Sequence, residues 1–174
     1  MGRDPVGQPP EAIAVILPPQ PGQAAPEFGL ANQYGEECRL TDLRGRAVVL
    51  VFYPFAFSAV CTRELEELQA HHSEFSARGA VVLGVSVDHR YTLRSFALAR
   101  AIDFTLLADF WPHGAVAQRY GAFNGESGHA GRYTFIIDAG GRVAEVIHSA
   151  HGQARSTRAY LDSLGTLQAG DHPR

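Results

Sequence analysis

The chain has 174 residues, 45% of them hydrophobic and 19% charged, which suits one soluble domain with a sizeable core. A net charge of -3 gives no basic footprint for nucleic acid or an anionic membrane surface, and no apolar run approaches the ~20 residues of a membrane-spanning helix. The two cysteines, with no Cys-x-x-Cys pair, exclude a disulfide framework and point to a reducing cytoplasm.

Residues 1–21 are rich in Pro, Gly and Gln and read as a flexible or polyproline-like tail. Within them "AIAVIL" (Ala12 to Leu17) is too short and too proline-flanked for a secretory core. Its β-branched content leaves open an added strand or a docking segment. The ordered domain is expected over residues 22–174. "EFGLANQYGEECRLTDL" predicts two short strands around a turn, and the unbroken apolar run "AVVLVFY" (Ala47 to Tyr53) predicts a central buried strand. "TRELEELQAHHSEFSAR" predicts a helix, with Leu65, Leu68, His72 and Phe75 at helical spacing.

"AVVLGVSVD" (Ala80 to Asp88) predicts a second buried strand, "RYTLRSFALARA" a helix, "FTLLAD" a short strand and "HGAVAQRYG" a short helix stopped by Gly121. "RYTFIID" and "RVAEVIHSA" flank "AGG" as a hairpin, and "TRAYLDSLGTLQ" predicts a closing helix. Strands alternating with helices, then a hairpin and a helix, give an α/β sheet of mixed direction.

Cys61 falls where the central strand gives way to the first helix, a common ligand position in open α/β sheets. By residue type alone it would be a small buried hydrophobe. By position it meets the unpaired N–H groups and partial positive charge of a first helical turn, which favour a thiolate. Ser58, three residues earlier, can offer a hydroxyl to the sulfur or to an incoming oxygen.

Pro54, Ser58 and Cys61 in "PFAFSAVC" stand where the peroxiredoxins have Pro-x-x-x-Thr/Ser-x-x-Cys. "GQAAPEFGL" resembles the N-terminal strand motif of that family. "ADFWPHGAVAQRYGAFNGESGHAGRYTFIIDAGG" resembles a segment of the AhpE-like one-cysteine peroxiredoxins, so the likeness runs from about Gly22 to the end. It implies a thioredoxin-like α/β fold with peroxiredoxin insertions, a mixed central sheet flanked by helices, and a homodimer. It also implies a thiol-dependent peroxidase acting on hydrogen peroxide, organic hydroperoxides and, by extension, peroxynitrite, without haem, flavin or metal.

Residue by residue, the resemblance makes Cys61 the peroxidatic cysteine, Pro54 its shield and Ser58 a partner of the peroxide, where Thr is commoner. Arg132 would hold thiolate and peroxide, and Glu64 would orient that arginine. Tyr133 departs from the small residue often found after the arginine; on a strand it should face away from a site that Arg132 faces.

The chemistry is consistent with these assignments. A free thiol with a pKa near ~8.5 is about 3% thiolate at pH 7, so complete ionisation gains only about thirtyfold. The rest must come from donors aimed at the oxygen that gains charge as the O–O bond stretches. The sulfenic acid so formed needs a second thiol. No cysteine follows Cys61, and Cys38 reads as a core residue, so an external low-molecular-weight thiol or a redoxin is the expected reductant.

The eight histidines, including His148 and His151, show no convergent ligand spacing, so no metal site is expected. "FWPHG" reads as either an interface or local packing, and the polar, glycine-rich "NGESGHAG" as a loop bordering the pocket. Two rivals remain: a thiol–disulfide oxidoreductase, which would want a paired cysteine where Thr62, Arg63 and Glu64 stand, and a redox sensor or chaperone-like binding protein.

Overall fold

The computed structural model describes residues 16–150 and 152–170. Most of the expected tail, including Ala12 to Val15 of the apolar run, and His151 lie outside the described residues. Ile16 and Leu17, the described end of that run, are exposed and belong to no strand.

The chain opens with a hairpin of β1 (Gly29–Asn32) and β2 (Glu37–Arg39), then a 3-10 turn (Leu40–Leu43) and β3 (Val48–Phe52). Next come α1 (Ala59–Ala70), α2 (His72–Ala77), β4 (Val81–Ser86), α3 (Arg90–Arg100), β5 (Thr105–Ala108) and α4 (Ala115–Arg119). A small hairpin of β6 (Phe123–Asn124) and β7 (His129–Ala130) precedes β8 (Arg132–Ile137), β9 (Val143–Ser149) and α5 (Thr157–Gly170).

Among the described residues, seven strands form one sheet in the order β2-β1-β5-β4-β3-β8-β9. The strands β3, β4 and β5 run parallel, whereas β8 is antiparallel to β3 and β9 to β8. The mixed direction follows from the connections: helices carry the chain between the parallel strands, and a tight turn joins β8 to β9. Every residue of β3 is buried because it lies between β4 and β8 with both faces covered.

Side-chain alternation divides the core. Val49, Val51 and Tyr53 pack with residues of α1, α2, α3 and α5 on one face. Val48, Leu50 and Phe52 pack on the other with α4, Phe28 and Leu40. Cys61 belongs to the first cluster, and Cys38, half-buried on the edge strand β2, packs against the second.

The first helix differs from the single run expected after Cys61. It begins earlier, at Ala59, and breaks at His71, whose backbone N–H and ring nitrogen both reach the Glu67 carbonyl. The break re-aims the chain so that Phe75 of α2 is buried as fully as Leu65 of α1. Gly84 in β4 serves the same face: a Cβ there would lie 2.8 Å from Leu106 and 3.2 Å from the Tyr53 ring, so glycine lets that ring lie on the sheet.

Candidate active site

Pro54 follows the end of β3 by two residues, and the next four residues carry the chain into α1. Three anchors hold this loop. The Phe55 ring meets His129 at 5.0 Å between centroids, the Phe57 ring meets Phe96 at 5.0 Å, and the Ala56 N–H donates to Asp88 Oδ2 at 2.8 Å. Ser86 Oγ donates to the same carboxylate oxygen at 2.7 Å. Phe57 has φ 65°, an uncommon conformation for a bulky residue, and these contacts oppose its relaxation.

Ser58 stands at the N-cap of α1 without capping it through its side chain. Its hydroxyl donates instead to the Phe55 carbonyl at 2.9 Å. The first helical bond runs from Thr62 N–H to the Ser58 carbonyl (2.9 Å), so the N–H groups of residues 59–61 have no intrahelical acceptor. Cys61 lies in this turn with 0% exposure, in the positive end of the helix macrodipole.

Arg132, at the start of β8, reaches the sulfur: its Nη2 lies 3.3 Å from Cys61 Sγ. Its Nη1 forms an ion pair with Glu64 Oε2, both side chains being 5% exposed. Arg155, in the segment before α5, completes the cluster. Its backbone N–H and Nε donate to Glu64 Oε1 at 2.7 and 3.1 Å, and its Nη2 to Oε2 at 3.3 Å. Its Nη1 donates to the Phe52 carbonyl (2.8 Å) and to Thr134 Oγ1 (3.1 Å).

The cluster carries unequal numbers of positive and negative groups. Two buried guanidiniums face one carboxylate, which leaves one positive charge uncompensated beside Cys61. A negative charge forming at Sγ during a reaction would meet this positive charge directly.

The structure thus gathers Cys61, Glu64 and Arg132 in direct contact, with Pro54 buried close by. It places Ser58 in the same loop with its proton directed to Phe55. A cavity of about 540 Å³ opens beside Pro54 and Arg132, with Phe123, His129, Tyr133 and His148 in its wall. The glycine-rich segment borders it as expected, although its ends pair as the β6–β7 hairpin. Tyr133 lies on the other face of β8 from Arg132, stacked on His148 at 4.2 Å.

Among the described residues, the buried side-chain polar atoms without a hydrogen-bond partner are Tyr53 Oη, Thr62 Oγ1 and Arg132 Nε. All three belong to residues beside Cys61 in sequence or space. Burial holds the Tyr53 phenol well above its ordinary range, and Asp88 and Cys61 add to that effect against the opposing influence of Ser86. No group of three His, Cys, Asp or Glu side chains suited to a metal ion occurs among the described residues. In "FWPHG" Trp111 is 81% exposed, whereas Phe110 packs on the His89 ring at 4.9 Å and His113 on the Phe123 ring at 5.8 Å.

Arg155 is the site residue that sequence reasoning missed. It sits in an irregular stretch with no periodicity around it, and nothing local separates it from the surface arginines.

A single buried cysteine in a first helical turn, charge-paired to an arginine across a mixed sheet, defines a thiol-based candidate site. Comparison with known proteins supplies the family: the AhpC/TSA family profile matches residues 21–146, and the chain belongs to that family. It is 39% identical over 149 residues to alkyl hydroperoxide reductase E of Mycobacterium tuberculosis, covering 85% of this chain and 97% of that protein. It is 35% identical over 136 residues to peroxiredoxin Bcp of Escherichia coli, covering 74% of this chain and 85% of that protein. Its fold is similar to the crystal structure of peroxidoxin BcpB from Mycobacterium tuberculosis, with a TM-score of 0.75, 34% identity, and coverage of 87% of this chain and 97% of the other. The sheet and helices are those of the thioredoxin-like peroxiredoxin fold. No helix among the described residues is long and apolar enough to cross a membrane.

Proposed function

We propose that this peroxiredoxin reduces peroxides through Cys61, within a catalytic domain of residues 22–174. The chain is a thiol-dependent peroxidase, and the observation that supports Cys61 as its nucleophile is the 3.3 Å contact from Arg132 Nη2 to Sγ inside a buried cluster with one positive charge in excess of its carboxylate. The thiolate attacks one peroxide oxygen, forming an S–O bond as the O–O bond breaks. The departing oxygen leaves with the electron pair and takes up a proton as water or an alcohol. Cys61 is then a sulfenic acid.

Arg132 holds the sulfur through Nη2, and its unpartnered Nε is the donor for the oxygen that gains charge. Glu64 fixes the orientation of that guanidinium. The Ser58 proton is engaged by Phe55, so the lone pairs of Oγ accept the peroxide O–H. Pro54 lines the cavity and Cys61 does not, which supports Pro54 as the shield of the sulfur.

An external thiol or a redoxin then attacks the sulfenic sulfur, releasing water, and a second thiol frees Cys61 from the mixed disulfide. In the same reading the protein is a cytoplasmic homodimer, with exposed Phe110 and Trp111 as a surface for the second copy. Stopped-flow oxidation of the purified protein by hydrogen peroxide and an organic hydroperoxide tests the function, with a small thiol as reductant. Failure of wild-type protein to consume either peroxide would overturn it.

A further inference from the structure

A chain of buried hydrogen bonds continues beyond Arg155 into the C-terminal helix. Thr134 Oγ1 accepts from Arg155 Nη1 at 3.1 Å and donates to Tyr160 Oη at 2.8 Å. Thr134 is two residues after Arg132 on β8, hence on the same face, and is 0% exposed. Tyr160 lies in the first turn of α5, and its ring packs with Leu161 and Leu164 in the cluster that contains Cys61.

Resting on the reading of Cys61 given above, we propose that Tyr160 is a positioning residue for the peroxidatic sulfur. Its hydroxyl holds Thr134, Thr134 holds the Arg155 guanidinium, Arg155 holds Glu64, and Glu64 holds Arg132 against Sγ. Each link leaves its neighbour one rotational freedom fewer, and the last neighbour is the donor to sulfur. The charged groups that act on Tyr160 are Arg155 before α5 and Glu64 and Glu67 on α1. Burial is the main cause that pushes its phenol up, so through the neutral range it acts as a neutral hydroxyl.

A tyrosine that merely anchors α5 would give the same stability loss on substitution but would leave the sulfur's response to pH untouched. The test is therefore a pH profile of Cys61 reactivity in Tyr160→Phe and Thr134→Val, read in two ways: alkylation of Cys61 by iodoacetamide, resolved by mass spectrometry, and stopped-flow oxidation by hydrogen peroxide. Both variants should react about fivefold more slowly at neutral pH, the worth of one buried neutral hydrogen bond, and recover at alkaline pH. Thr134→Ser, which keeps the hydroxyl, should retain the wild-type profile. The double variant should be no slower than the slower single one, as links of one chain require. Superimposable profiles for Tyr160→Phe and wild type, with only the melting temperature lowered, would overturn the proposal. A shifted alkylation profile in a protein that consumes no peroxide would support the relay while sinking the peroxidase reading.

Discussion

Arg155 and Glu64 stand 91 positions apart and share three hydrogen bonds, two of them to one carboxylate oxygen. Glu64 gives its other oxygen chiefly to Arg132, so a single carboxylate orients both guanidiniums around Cys61. Loss of this carboxylate would leave two buried positive charges facing each other. Glu64→Gln is therefore expected to lower stability by about 3–5 kcal/mol, the range for breaking a buried pair on one side. Urea unfolding measures this; a loss below about 1 kcal/mol, the value of an exposed pair, would contradict the charge account.

Cys61→Ser should abolish peroxide consumption and keep the fold, because a serine hydroxyl is not ionised at neutral pH and is too weak a nucleophile. Peroxide consumption and circular dichroism on the same sample decide it. Comparable turnover by the serine variant would remove Cys61 from the chemistry.

Arg132→Met should slow oxidation by well over the about thirtyfold that ionisation of a free thiol supplies, since it also removes a donor to the leaving oxygen. The second-order rate measured across pH separates the two effects. Full recovery of the variant at alkaline pH would show that Arg132 acts on ionisation alone.

Cys38→Ser should leave turnover with an external thiol nearly unchanged. Cys38 packs on the opposite face of the sheet from Cys61, with β1, β5 and β4 between their regions, whereas a disulfide needs Cα atoms within about 7 Å. Burial, and then the charge of Asp42, also push the Cys38 thiol up, away from the reactive thiolate. One equivalent of peroxide should leave a sulfenic acid on Cys61 that dimedone traps, and excess peroxide should carry it to sulfinic acid. Intact-mass spectrometry reads the outcome; a loss of two hydrogens that disappears in Cys38→Ser would identify an intramolecular disulfide instead.

Stability should fall steeply in alkali. Burial is the first cause that raises the phenols of Tyr53, Tyr120 and Tyr160 above the ordinary 10.0. The folded state holds these protons after the unfolded chain has released them, so their contribution is complete below pH 10.0 and is lost as pH rises through the folded values. Each phenol accounts for about 1.4 kcal/mol per pH unit in that window. Denaturant midpoints on either side of it check the slope, and Tyr53→Phe should reduce it by one proton's worth.

The sequence alone determined most of the strands and helices and the place of Cys61 at a strand-to-helix junction, but not the break at His71 or the β6–β7 hairpin. The all-apolar run of β3, the leucine spacing of α1 and the turn between β8 and β9 are local signals, because backbone propensity and burial period act over a few residues. Cys61 and Ser58 were legible from their place at the mouth of α1, whereas Pro54 and Glu64 were singled out only through the family likeness. Arg132 was found through family likeness, not through spacing, since it lies 71 positions from Cys61. Only the tertiary structure decided that Arg155 joins them, that Ser58 donates to Phe55, and that Thr134 links the cluster to Tyr160. Those contacts depend on the sheet order that sets β8 beside β3 and on α5 returning across that face. Guanidiniums and hydroxyls select partners by distance and direction in the folded chain, and no period or composition along the sequence encodes either.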